Sequence, residues 1–307
     1  MIDRVLVLGG SGFIGRHLVA QLTRREIKVT VPSRRRERAK HLILLPTVDV
    51  VEADVNRPEV LQQLVRGTDA VVNLIGILHG DFARAHVELP LSVVAACRAA
   101  GVKRLLHMSA LGAATDAPSD YQRTKGEGEQ AVLEAKDLDV TVFRPSVVFG
   151  PEDSFLNRFA MMARLLPVLA VPCPQARFQP VYVGDVARAM MLALDDTESY
   201  GRRYELAGPR EYTMQQLVEL VCAFIGRRRL VLGLSDRLSY FQAFMLEKLP
   251  GQLMTRDNYR SMSVPNTTSA AFPYGIAPQL LEAIAPAYLA PSGPRERYPQ
   301  LRWRARR

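Results

Sequence analysis

The chain has 307 residues, of which 48% are hydrophobic and 23% charged, with a formal net charge of +9. This length suits one large α/β domain or a nucleotide-binding domain with a smaller cap, and no uninterrupted apolar stretch reaches the roughly 20 residues of a membrane-spanning helix. The three cysteines lie far apart and the five histidines show no metal-ligand spacing, so we expect neither a disulfide framework nor a metal site.

The first half of the chain alternates short apolar runs with amphipathic stretches. Continuous β-branched runs of this kind are typical of parallel strands that helices cover on both faces. Strands are predicted at 4–8, 28–31, 48–53, 70–75, 104–108 and 140–143. Helices are predicted between them at 12–25, 58–66, 83–100 and 121–136. Six such units indicate an α/β fold with a Rossmann-type, doubly wound parallel sheet.

After about residue 150 the pattern changes to helices separated by proline-containing segments. These helices are predicted at 155–166, 184–195, 213–225 and 235–249. We therefore divide the chain into a Rossmann domain over 1–150, which later segments rejoin, a smaller and mainly helical cap region over 151–290, and a basic tail over 291–307. The cap is expected above the carboxyl ends of the strands, where open α/β sheets bind their ligands.

The positive charge is concentrated at the end of the chain. Residues 295–307 include six arginines and one glutamate, which supply +5 of the net charge. We expect a frayed, disordered terminus; the alternative is a contact with an anionic membrane surface or an acidic protein, with nucleic acid disfavoured. The amino terminus runs directly into a predicted strand, so we expect no signal peptide and a cytoplasmic location, either free or peripheral at the inner membrane.

A glycine-rich turn follows the first predicted strand and opens a helix. Glycines let backbone N–H groups approach a pyrophosphate, and the helix amino terminus adds partial positive charge. A purely structural turn is the alternative, but the strand before it, the helix after it and the further βα units favour a dinucleotide site. Its residues are Gly9, Ser11, Gly12, Phe13, Ile14 and Gly15, with Gly10 between them.

The end of the second strand distinguishes NAD from NADP. An NAD site places a carboxylate there for the ribose hydroxyls, whereas the 2′-phosphate of NADP needs cations. This chain has Ser33-Arg34-Arg35-Arg36, with no acid before Glu37. A guanidinium can pair with a phosphate in a bidentate fork. We therefore predict NADP(H), with Arg34 or Arg35 at the phosphate and Arg36 in solvent.

A YxxxK pair, Tyr121 and Lys125, begins the helix between the fifth and sixth strands. The spacing puts both side chains on one helix face. We expect the ammonium to lower the tyrosine pKa and make it an acid/base, and the lysine to hold the nicotinamide ribose as well. Ser109, at the end of the fifth strand, is the candidate for polarising the substrate oxygen; a strand-end serine bonded to the protein is an equally good interpretation.

Together these motifs resemble the extended and atypical short-chain dehydrogenase/reductases, which include sugar-nucleotide epimerases and dehydratases. The closer similarity is to the family of the NADPH-binding accessory subunit of respiratory complex I and its bacterial relatives. It extends from the first strand to about Leu289 and is carried by segments 107–113, 121–129, 144–160, 178–187 and 204–209. One departure is the short loop before Tyr121, where the usual enzymes have a clear Ser or Thr beside the tyrosine.

The resemblance implies tight NADPH binding and further cofactor contacts. Those contacts are Asp54 and Val55 beside the adenine, Leu74, Ile75 and Gly76 along the cofactor, and Pro145, Ser146 and Val147 around the nicotinamide. Asp185 is expected to cap the helix that starts there. In the mitochondrial member the role is assembly and stability of the complex.

Three functions are consistent with these motifs. The first is an NADP(H)-dependent oxidoreductase acting on a carbonyl or alcohol of unidentified structure. The second is a non-catalytic NADPH-binding accessory or assembly factor of a respiratory complex, docked on that complex or on a membrane surface. The third is a redox-neutral epimerase or dehydratase, for which no nucleoside-diphosphate pocket is recognisable. An apolar stripe at Leu238, Phe241, Phe244, Met245 and Leu249 is interpreted as a helix covering the substrate cleft, with docking as the alternative.

Overall fold

A central sheet of seven parallel strands organises the molecule. The computed structural model describes residues 2–248 and 254–290. Numbered along the whole chain, the strands of the sheet are β1 (Arg4–Leu8), β2 (Lys28–Ser33), β3 (Val48–Glu52), β4 (Ala70–Asn73), β5 (Arg104–Met108), β6 (Asp139–Pro145) and β11 (Arg203–Leu206). Their spatial order is β11-β6-β5-β4-β1-β2-β3. The predicted Rossmann-type sheet is confirmed.

Helices cover both faces of this sheet, which explains why its strands are apolar throughout. The helices are α1 (Phe13–Arg24), α2 (Lys40–Ile43), α3 (Pro58–Val65), α4 (Leu89–Ala100), α5 (Asp120–Leu133) and α7 (Val183–Ala193). One apolar core lies under α1 and α7, and the other under α3, α4 and α5. In β5, between the two cores, all five residues are buried.

The predicted helix at 83–100 has two parts, because it begins with a π-helical turn, Arg84–Glu88, before α4. Pro90 has no N–H to donate to the carbonyl of His86 four residues earlier. That carbonyl lies against Gly128 of α5, where an added Cβ would be 1.7 Å from the oxygen. The glycine therefore allows α5 to pack closely on the π-helical turn.

Segments after residue 150 return to the central sheet. Strand β11 was not predicted; it is short, pairs only with β6 and has one fully buried residue, Leu206, so it lacks the apolar pattern of an inner strand. Helix α7 packs beside α1, with Val186 and Met190 in the core of the sheet. Asp185 was expected to cap α7, and this is wrong. It lies inside the first turn, and its carboxylate accepts a hydrogen bond from the backbone N–H of Gln279 at 2.7 Å.

The cap region has its own apolar core. Its helices are α6 (Leu156–Leu165), α8 (Met214–Phe224), α9 (Asp236–Glu247), α10 (Arg256–Ser261) and α11 (Leu281–Leu289). Its short strands pair as β7 (Val148–Phe149) with β10 (Val181–Tyr182), β8 (Val168–Val171) with β13 (Leu230–Gly233), and β9 (Arg177–Phe178) with β12 (Tyr212–Thr213). Within the described ranges, no helix combines the length and apolarity needed to cross a bilayer. The predicted tail over 291–307 and Leu249 lie outside the described residues.

Arg104 ties β5 to the segments that return to the sheet. Its side chain is buried, and the guanidinium lies 4.7 Å above the ring of Tyr200. It donates hydrogen bonds to the carbonyls of Asp139, Ala193 and Leu194 and to the hydroxyls of Thr141 and Ser199. Burial lowers its pKa.

We expect Arg104→Met to lower the free energy of unfolding by about 3 kcal/mol, because it leaves several buried acceptors without a donor. The measurement is urea unfolding of the full chain. Lys103→Met, at the exposed neighbouring position, is the matched control, with an expected effect of less than about 0.5 kcal/mol. Equal losses in the two variants would contradict the role given to the Arg104 network.

Candidate active site

The turn between β1 and α1 can be built only with glycine at several positions. Gly9 has a φ of +78°, and its carbonyl accepts a hydrogen bond from the N–H of Gly12 at 2.9 Å. A Cβ on Gly15 would lie 2.3 Å from that same carbonyl oxygen, and one on Gly10 would lie 2.9 Å from Val31 of β2. The packing of α1 on the end of β1 therefore depends on these glycines.

The amino terminus of α1 keeps its backbone donors free for an anion. The helix begins at Phe13, its N-cap is Gly12, and no side chain in the described part of the chain caps it. Ser11, Phe13 and Ile14 are half-buried around this end. Uncapped N–H groups at a helix start attract negative charge. The turn thus fits a pyrophosphate.

The predicted residues of the next two strands lie at the same edge of the sheet. Ser33 ends β2, and its hydroxyl donates a hydrogen bond to the carbonyl of Arg35 at 2.9 Å. The side chains of Arg34 and Arg35 are exposed, and no acid among the described residues forms an ion pair with either. Asp54 follows β3; hydrogen bonds from Asn56, with a smaller contribution from Arg34, lower its pKa. Val55 is half-buried beside it.

The loop after β4 joins the glycine turn to helix α5, which carries Tyr121 and Lys125. A Cβ on Gly9 would lie 3.2 Å from the carbonyl carbon of Leu74 and 3.3 Å from the nitrogen of Ile75. One on Gly76 would lie 3.0 Å from the Nζ of Lys125. The structure therefore brings three predicted cofactor segments together beside α5. The order of the strands reverses here, between β1 and β4, where doubly wound sheets open a crevice.

Lys125 and Tyr121 lie on α5, but their electrostatics differ from the expectation. Lys125 is 4% exposed, and its ammonium donates to the carbonyl of Met108 at 2.9 Å. Burial lowers the pKa of Lys125 to about 8. Burial also raises the pKa of Tyr121 to about 12, so the predicted lowering of the tyrosine pKa by Lys125 is wrong for this structure. Desolvation of the phenolate is larger than any stabilisation from the ammonium.

Ser109 presents a hydroxyl without a protein partner. The residue is 3% exposed, and its backbone N–H donates to the carbonyl of Phe143 at 2.8 Å. No described group forms a hydrogen bond with its Oγ. A strand-end serine bonded through its side chain, the alternative interpretation, is thus not observed. Because a buried hydroxyl without a partner is costly, this position fits a polar atom of a bound ligand.

His86, which no sequence pattern indicated, connects the β4 loop to α5. Its Nε2 accepts a hydrogen bond from the N–H of Ile77 at 3.1 Å, and its Nδ1 is 3.0 Å from the hydroxyl of Thr124. Burial, with a contribution from the charge of Lys125, lowers the pKa of His86 to about 3, so the ring is neutral. The ring also contacts Tyr121 edge-to-face at 5.5 Å. A lone histidine inside a predicted helix gives no signal of this role in the sequence.

The carboxyl end of β6 is held by a residue of the cap region. The side-chain oxygen of Asn266 accepts hydrogen bonds from the hydroxyl of Ser146 at 2.6 Å and from the N–H of Val147 at 3.1 Å. Pro145 accepts from the N–H of Leu111 at 2.9 Å. Residues 145–147 therefore lie at the predicted edge of the sheet, but the Ser146 side chain is engaged within the protein.

Asp257 of α10 holds the start of α5. Its carboxylate accepts hydrogen bonds from the N–H groups of Asp120 at 2.7 Å and Tyr121 at 3.1 Å. Ser119 caps the same helix through the N–H of Gln122 at 3.1 Å. The separation of more than 130 residues between Asp257 and Tyr121 explains why no local sequence pattern reveals the contact.

Comparison with known proteins agrees with this geometry. The model of the NAD dependent epimerase/dehydratase family matches residues 5–207. NADH dehydrogenase [ubiquinone] 1 alpha subcomplex subunit 9 of Arabidopsis thaliana is 33% identical over 80% of this chain, which spans 64% of that relative's length. Ceramide reductase of Caulobacter vibrioides is 29% identical over 76% of this chain and 74% of its own.

The fold is also that of solved nucleotide-sugar enzymes. The structure of the DesIV double mutant, a dTDP-glucose 4,6-dehydratase from Streptomyces venezuelae with NAD bound, matches with a TM-score of 0.68 at 22% identity. The match covers 77% of this chain and 85% of that one. The resemblance to short-chain dehydrogenase/reductases, and to the complex I accessory subunit among them, is confirmed. The chain belongs to the NAD dependent epimerase/dehydratase family and is a nicotinamide-nucleotide-binding protein.

Proposed function

We propose that this protein is an NADP(H)-dependent oxidoreductase that interconverts a carbonyl compound and its alcohol. The observation that carries this proposal is the buried Ser109 hydroxyl, which has no partner among the described residues and follows Met108, the residue whose carbonyl holds Lys125. A binding site needs no such hydroxyl for the nucleotide phosphates, whereas carbonyl reduction needs a donor at the substrate oxygen. The similarity to a ceramide reductase supports a reductive role.

Three residues of the chain have separate roles in the proposed reduction of the carbonyl. The β1–α1 turn and the β4 loop would hold NADPH, which would supply the hydride. Ser109 donates a hydrogen bond to the substrate oxygen, and Tyr121 gives up its phenolic proton as negative charge develops there. With a pKa of about 12, Tyr121 is fully protonated at neutral pH and can act as the acid in the reductive direction. The Lys125 ammonium, next to Gly76, would hold the nicotinamide ribose, and the phenolate left on Tyr121 recovers a proton from solvent.

The proposed preference for NADP(H) rests on Arg34 and Arg35. Both guanidiniums are exposed at the end of β2, free of ion pairs with described acids, and therefore available to a phosphate. Arg34 contributes to the lowered pKa of Asp54, whose carboxylate is bonded to Asn56. The cationic end of β2 thus favours the cofactor that carries the 2′-phosphate.

A second function is favoured by one observation, the similarity to the complex I subunit over most of the chain. In that function NADPH stabilises the fold, and the protein docks on a respiratory complex. The high pKa of Tyr121 is compatible with such a role. The two functions differ in whether substitution of Tyr121 abolishes turnover of a carbonyl substrate.

We expect the chain to bind NADPH more tightly than NADH. Replacing the guanidinium that meets the phosphate, in Arg34→Gln or Arg35→Gln, should weaken NADPH binding about tenfold. NADH affinity should stay constant. The measurement is a titration followed by nicotinamide fluorescence, with Arg36→Gln as the matched control. Equal affinity of the unmodified chain for the two nucleotides would contradict the NADP(H) assignment.

Tyr121→Phe should lower kcat for carbonyl reduction by a factor of about 10² to 10⁴ while leaving NADPH affinity within about twofold, because only the proton donor is removed. The substrate is first found by screening long-chain and short-chain ketones for reduction, and kcat is then measured on it. Tyr182→Phe, at a half-buried tyrosine of the cap, is the control. Full activity of Tyr121→Phe would exclude the tyrosine as the acid.

The rate of reduction should depend on the charge of Lys125. Its lowered pKa of about 8 means that the ammonium is present below pH 8 and is lost above it. We therefore expect kcat/KM for NADPH to fall as the pH rises through about 8, a limb that Lys125→Met should lack. A profile flat to pH 10 in the unmodified protein would contradict this assignment.

A further inference from the structure

Helix α9 presents an apolar stripe to solvent. The exposed fractions of Leu238, Phe241 and Met245 are 54%, 59% and 50%, and their spacing puts them on one side of the helix. The opposite side, with Ser239 and Ala243, is buried against the cap. These exposures do not test the interpretation of the stripe as a cover over the substrate cleft, which stays a prediction.

The neighbouring strand pair, β8 and β13, exposes a second apolar row. Val168 lies directly opposite Leu230 in the register, and both are exposed, as is Leu232 two pairs further. Helix α9 adjoins this row, because the side chain of Gln242 donates a hydrogen bond to the carbonyl of Ala170 at 3.3 Å. We call Leu238, Phe241, Met245, Val168, Leu230 and Leu232 the cap face.

Cations surround the cap face. Arg237 and Lys248 flank the stripe at the two ends of α9, and Arg227 and Arg228 precede β13; all four are exposed. Of the acids on α9, Glu247 is bonded to Arg256 at 2.8 Å, which leaves Asp236 as the unpaired one in that helix. The rim of the apolar surface is therefore net positive.

We propose that the cap face docks on an anionic lipid bilayer. An exposed apolar stripe flanked by Arg and Lys is the pattern of helices that lie in the membrane interface, where side chains enter the acyl boundary and cations meet anionic headgroups. A second copy of this chain is a poorer occupant, because the same four cations would face one another across a self-complementary contact.

In this orientation helix α5, which carries Tyr121, lies close to the bilayer. Helix α10 packs on α9 and contacts α5, where Asp257 holds the N–H groups of Asp120 and Tyr121. Vesicle binding needs neither NADPH nor a substrate, so docking does not rest on the proposed reaction. A failure to bind vesicles therefore leaves the proposed reaction testable, and a failure to reduce a carbonyl leaves the docking testable.

The test is sedimentation of the purified full chain with vesicles of phosphatidylcholine alone and of phosphatidylcholine mixed with phosphatidylglycerol. We expect binding to the anionic vesicles, weakened about tenfold by Phe241→Gln. Arg237→Gln combined with Lys248→Gln should weaken it roughly fivefold for each charge removed.

The matched controls are Leu44→Gln, at an exposed leucine outside the cap, and Arg24→Gln combined with Arg66→Gln, at exposed arginines of the Rossmann domain. Because the arginine-rich segment 295–307 is present in every variant, the comparison isolates the cap face. Equal losses in cap-face and control variants, or equal binding to both kinds of vesicle, would overturn the proposal. The proposal would also be overturned if Phe241→Gln lost self-association while its vesicle binding stayed unchanged. That result would assign the cap face to a second copy of the chain.

Discussion

The close contact between the start of α1 and the end of β1 is the constraint on which the rest of the molecule depends. Gly15 packs so near the carbonyl of Gly9 that a single added methyl group would lie 2.3 Å from it. This contact fixes the direction of α1, leaves its amino-terminal donors uncapped and lets the β4 loop pass directly beside Gly9. This packing produces a turn whose geometry fits an anion, next to the point where the strand order reverses.

A series of contacts extends from that turn to the cap. The β4 loop meets Lys125 at Gly76 and is bonded through Ile77 to His86, which in turn contacts α5. Gly126 and Gly128 let α5 approach Ala114 and the His86 carbonyl at distances that no side chain would allow. Asp257 then joins the start of α5 to the cap region. The tyrosine is therefore positioned from three directions by groups far apart in the sequence.

The sequence predicts those parts of this arrangement that rest on local patterns. The six apolar strands and the glycine turn follow from periodicity and from the conformations open to glycine, and the YxxxK pair follows from helix spacing. Strand β11 is not predicted, because an edge strand with one buried residue carries no such pattern. The sequence also gives no sign of the roles of Asp257, Asn266 and His86, because their partners lie in other segments. The tyrosine pKa was predicted in the wrong direction, because desolvation is set by the fold and not by the neighbour at i+4.

We infer that the β1–α1 turn holds the phosphates of a nicotinamide nucleotide. Hydrogen–deuterium exchange of the full chain with and without NADPH tests it most directly, because it reports on the backbone donors themselves. We expect slower exchange at the amides of residues 10–15 and of the β4 loop in the presence of NADPH. Unchanged exchange in the turn, with protection elsewhere or none, would contradict the account.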